Sequence, residues 1–137
     1  MWVHRHIDMG SAEDWQAKSE IALEDLAHAL ILNPRRDDWD SSWEQSIGSP
    51  QFREQVEWEL DGMDRADVIA FYFAPKTKAP ITLLELGLHA SGGKLVVLCP
   101  EDYWRKGNVD IVCQRYGIEQ AKDFGGLVNA VRRRPQR

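Results

Sequence analysis

Cysteine is scarce in this chain: 137 residues hold two, Cys99 and Cys113. Two thiols make no disulfide framework, and their spacing fits no zinc pattern. Cys99 closes an apolar run and reads as a small buried hydrophobe. An excess of positive charge is missing as well. Seventeen Lys and Arg against 22 Asp and Glu leave a net charge of −5, which argues against a nucleic-acid partner. The single basic cluster, Arg132-Arg133-Arg134, reads as a solvated helix end. No apolar stretch approaches the ~20 residues that a membrane span requires, and the first residues lack the apolar core of a signal peptide. The expected setting is therefore a reducing cytoplasm, with no membrane partner. Repeats, linkers and low-complexity segments are absent too. Residues 1–137 are expected to form one domain, long enough to bury a core.

What the chain does have is concentrated between Val68 and Cys99. Val68-Ile69-Ala70-Phe71-Tyr72-Phe73 reads as a buried strand, and Leu95-Val96-Val97-Leu98-Cys99 reads as another. Between them, Pro80 opens a helical turn that carries Glu85 among Leu83, Leu84, Leu86 and Leu88. Strand, helix and strand make a parallel crossover unit. In sheets of that kind ligands bind beyond the carboxyl ends of the strands, where this helix begins. An ionisable acid in such a turn is costly unless it is used or paired.

The rest of the chain repeats the alternation. Val3 to Ile7 is a candidate first strand. A helix follows from Ser11, with Trp15, Ala22, Leu26, Ala29 and Leu30 near one face, and Ile31-Leu32 is a candidate second strand. The polar, aromatic loop from Arg35 to Trp43 is too decorated for a mere connector. A helix from Pro50 carries an apolar stripe of Phe52, Val56, Leu60 and Met63, and Glu59 shares that stripe. Beyond Cys99 a short helical turn is expected over Val109 to Arg115, a short strand from Ile118 and a closing helix from Gly125 to Arg133. Strands and helices in this order imply a doubly wound α/β domain of Rossmann-like type, with a parallel sheet of about four to five strands flanked by helices.

Four segments in this order resemble the nucleoside 2-deoxyribosyltransferase-like proteins. They are Asn33-Pro34-Arg35-Arg36 with Asp38-Trp39-Asp40-Ser41-Ser42, the run from Trp58 to Asp67, Leu84-Glu85-Leu86-Gly87-Leu88-His89, and Gly93-Lys94-Leu95-Val96-Val97. The resemblance extends from Gly10 to about Gly117. It implies a flavodoxin-like sheet and cleavage or transfer at the N-glycosidic bond of a nucleoside or nucleoside 5′-monophosphate, with no organic cofactor. It also implies that Glu85 is the nucleophile and that Glu59 assists the departing base. Breaking a C1′–N bond develops oxocarbenium character, which an ionised carboxylate stabilises and can trap. A second acid then serves the leaving group. Homodimers or higher homo-oligomers are implied as well.

Other candidates keep two readings each. Asp38 and Asp40 bind sugar hydroxyls or a base, or they make Asx turns. Arg35 and Arg36 hold a 5′-phosphate, or they pair with Asp37 and Asp38. Trp39 and Trp43 stack on a base or pack as a lid on the core. Thr82, one turn before Glu85, orients that carboxylate or caps the helix. His89 reads as a packed or surface histidine. His4 and His6 point the same way along a strand, but no third ligand accompanies them, so no metal is expected. Two departures favour an alternative function. Ala79 stands where the transferases carry an aspartate that touches the base, and His4-Arg5-His6 replaces a small-residue turn near the sugar. A nucleotide-binding module that keeps the pocket without turnover would tolerate both.

Overall fold

The structure is a computed structural model, and it describes residues 2–5, 44–75 and 77–134. Within them lie four strands, β1 (Trp2–Arg5), β2 (Ile69–Tyr72), β3 (Leu95–Leu98) and β4 (Glu119–Ala121). Four α-helices accompany them: α1 (Pro50–Arg65), α2 (Pro80–His89), α3 (Lys106–Tyr116) and α4 (Phe124–Arg132). All strand pairs are parallel, in the order β1-β2-β3-β4. One row across the sheet runs Val3, Ala70, Val96, Glu119.

The apolar runs become strands buried on both sides, as a parallel sheet with helices on both faces requires. Alternate residues supply two separate cores. Ile69, Phe71, Phe73, Leu95, Val97 and Cys99 pack on one face with Met63 of α1, Leu86 of α2 and Val109 and Cys113 of α3. Val68, Ala70, Val96 and Leu98 pack on the other with Leu127, Val128, Ala130 and Val131 of α4. The chain is thus an α/β protein of the flavodoxin-like, Rossmann-like kind.

Local chemistry sets the helix ends. Pro50 and Pro80 occupy first helical positions, where a missing N–H costs nothing. Asp123 caps α4 by accepting a hydrogen bond from the Gly126 amide at 2.7 Å. Gly117, at φ +66, stops α3 and lets the Ile118 amide reach back to the Cys113 carbonyl at 2.8 Å. The end of α1 is closed from a distance. The Lys94 ammonium, just before β3, donates to the carbonyls of Met63, Asp64 and Ala66.

Two elements differ from the expectation. The segment expected as a short turn from Val109 is an eleven-residue helix, α3, that begins at Lys106. The Lys106–Asp110 ion pair at 2.9 Å spans its first turn, and only Val109 and Cys113 are deeply buried, so its apolar signal is narrow. The inward face of α1 is also rotated from the expected stripe. Its buried residues are Gln55, Glu59, Gly62 and Met63, while Phe52, Val56 and Leu60 are only half-buried. The expected helix from Ser11 and the strand at Ile31-Leu32 lie outside the described residues.

Candidate functional site

β2 ends at Tyr72, and the chain crosses the carboxyl edge of the sheet through Phe73 to Ala79 before α2 begins. Ala79 is the N-cap of α2 in the left-handed region, φ 49 and ψ 50, with its side chain fully buried. A non-glycine residue there, followed by proline, is strained by about 1–3 kcal/mol and persists only where its surroundings hold it. Three hydrogen bonds do so. The Ala79 carbonyl accepts from the Leu83 amide at 3.1 Å. The preceding carbonyl, that of Lys78, accepts from Tyr103 Oη at 2.6 Å and from Trp104 Nε1 at 2.9 Å.

From that start α2 inverts the usual amphipathic order. Thr82, Glu85 and Leu86 are buried, whereas Leu84 and Leu88 are 58% and 56% exposed. Two of the neighbours that make Glu85 look enclosed in sequence are thus partly solvated, while Glu85 itself is only 3% exposed. Burying an acid while leaving two leucines in water is a poor arrangement for stability alone. Thr82 stands beside it, but its hydroxyl is buried without a hydrogen bond among the described residues, so the expected Thr82–Glu85 bond is not made. Nor does Thr82 cap α2, since that position belongs to Ala79.

Glu59 sits on the inward face of α1, 8% exposed, and Gln55 Nε2 donates to its Oε1 at 2.9 Å. This amide clamp was not anticipated, although a polar pair four residues apart on one face is its signal. α1 and α2 share one core, through Met63 and Leu86, so the two buried carboxylates project from helices on the same side of the sheet. Asp38, Asp40, Arg35, Arg36 and Trp39 lie outside the described residues. A surface depression of ≈ 460 Å³ among the described residues is lined by Pro50, Arg53, Glu54, Glu57, Trp58 and Asp61, and neither Glu59 nor Glu85 lines it. No group of three or more His, Cys, Asp or Glu among the described residues could hold a metal ion. No helix among them is long and apolar enough to cross a membrane.

In parallel α/β sheets ligands bind beyond the carboxyl ends of the strands, and here the helix that opens at that edge carries a buried acid. The family model described as nucleoside 2-deoxyribosyltransferase like matches residues 6–103, and the chain belongs to that family. The match covers α1, β2, α2 and β3, and so includes both Glu59 and Glu85. No match was found among curated proteins.

Proposed function

We propose that this chain, acting as one domain, cleaves or transfers the N-glycosidic bond of a nucleoside or nucleoside 5′-monophosphate. Glu85 attacks C1′ as the carboxylate. The C1′–N bond breaks, its electron pair leaves with the base, and Glu59 hydrogen-bonds or protonates that base. A glycosyl ester on Glu85 results. An acceptor base or water then attacks C1′, and Glu85 is released as carboxylate. Gln55 holds Glu59 in one orientation. Asp38, Asp40, Arg35, Arg36 and Trp39 would surround the sugar, base and phosphate. The burial of Glu85 on a helix that leaves Leu84 and Leu88 exposed supports this activity most directly.

The exposed pair Leu84 and Leu88, one turn apart, fits a homo-oligomer in which a second copy covers that stripe. Two unbridged, buried cysteines fit a cytoplasmic setting.

Product analysis tests the chemistry. The protein is incubated with pooled nucleosides and nucleoside 5′-monophosphates, with and without an acceptor base, beside Glu85→Gln. Free base from the native protein and none from the variant is the expected outcome, and dependence on acceptor separates transfer from hydrolysis. A second reading, a nucleotide-binding module without turnover, is favoured by the buried methyl group of Ala79 at the position where the resemblance implies an aspartate that touches the base. Under it, ligands raise the melting temperature and no base is released.

A further inference from the structure

Among the described residues, Lys78 and Arg105 stand on the two loops that cross the carboxyl edge beyond β2 and β3, Lys106 opens α3 beside them, and the three are used differently. Lys106 is consumed: it contacts Asp110 at 2.9 Å, the Cys99 carbonyl at 3.2 Å and Glu101 at 4.0 Å. Lys78 and Arg105 form no ion pair among the described residues, although Asp102 is exposed nearby in sequence. Both instead lie over the ring of Trp104. The Arg105 guanidinium carbon is 4.5 Å from the ring centroid and Lys78 Nζ is 5.6 Å from it. An aromatic face anchors a cation without occupying any of its N–H donors. A guanidinium held this way keeps its planar fork available for a tetrahedral anion.

The anchor itself is fixed. Trp104 is 52% exposed, yet its indole N–H is tied to the Lys78 carbonyl at 2.9 Å, and Tyr103 holds the same carbonyl at 2.6 Å. Lys78 and Arg105 therefore both border the Trp104 ring, on two loops tied together by side-chain donors to one main-chain carbonyl, at the edge where α2 begins, in a chain of net charge −5. We propose that Lys78 and Arg105, mounted on Trp104, form an anion subsite that takes the phosphoryl group of a sugar-phosphate ligand. The subsite rests on the glycosidic reading only for the ligand's identity, in which it selects phosphorylated nucleosides over free ones.

Ribose 5-phosphate is the probe, titrated calorimetrically at low salt into the native chain and into the double variant Lys78→Met, Arg105→Met. A second double variant, Arg115→Met with Lys122→Met, removes equal charge from exposed positions elsewhere. Unchanged melting temperatures establish that the variants are folded. The expected result is binding by the native and control proteins, weakened at least about tenfold in the Lys78/Arg105 variant, because charge-assisted hydrogen bonds are lost. Equal binding by all three proteins, or none by the native chain, overturns the subsite. Base release from unphosphorylated nucleosides is measured in parallel. If it proceeds while ribose 5-phosphate ignores Lys78 and Arg105, the subsite fails and the glycosidic reading stands. If ribose 5-phosphate needs the two cations while no base is ever released, the subsite stands and the glycosidic reading fails.

Discussion

Tyr103 donates its phenolic hydrogen to the Lys78 carbonyl oxygen at 2.6 Å, across the two loops that follow β2 and β3. That bond, with the one from Trp104, fixes the peptide joining Lys78 to the strained Ala79, and so the start of the helix that carries Glu85. Tyr103→Phe keeps the ring against Phe73, whose centroid is 4.9 Å away, and removes only the hydroxyl. A loss of about 1 kcal/mol in urea denaturation is expected. The double variant Tyr103→Phe, Trp104→Phe should lose more than the sum of the singles, because the carbonyl then has neither donor. Faster amide exchange at Leu83, which donates to Ala79, would report a loosened α2 start.

Lys94→Met should fray the end of α1. The ammonium serves three main-chain carbonyls that the helix cannot satisfy itself. A cost of about 1–3 kcal/mol is expected from chemical denaturation, with loss of protection at the Ala66 amide. A purely superficial lysine would leave both unchanged.

The two thiols predict a loss of stability in alkali. Burial raises Cys99 from an ordinary 9.0 to about 12, partly offset by Lys106, and burial raises Cys113 to about 11. Above pH 9 the unfolded chain has lost protons that the folded chain retains. Stability is therefore full below about pH 8.5 and falls as pH rises toward 11–12, by up to about 1.4 kcal/mol per pH unit for each thiol. Neither cysteine should react with iodoacetamide at pH 8 until the protein unfolds.

Glu59→Gln should reduce base release by about 10²–10⁴-fold, the range for a lost general acid, most severely for substrates with poor leaving groups. Gln55→Ala should cost less, since it only frees the orientation of Glu59. Equal rates for all three proteins would remove Glu59 from the mechanism.

Periodicity alone determined the parallel crossover around Val68 to Cys99, the helices from Pro50 and Pro80, and the inward placement of Glu59. These follow from local pattern, because strands buried on both faces must be continuously apolar and proline marks a helix start. Motif resemblance named the family, and the match to residues 6–103 agrees. The same local logic misjudged α3, whose narrow apolar stripe hides a full helix, and the leucines around Glu85, which sequence alone could not assign to a face. Tertiary structure decided what depends on distant partners: Lys94 reaching back some thirty residues to α1, and Tyr103 and Trp104 fixing the Lys78 carbonyl. Ala79 held in a left-handed conformation belongs with them. No spacing rule predicts such contacts, because the packing of two loops against one strand edge brings the groups together and repays the strain.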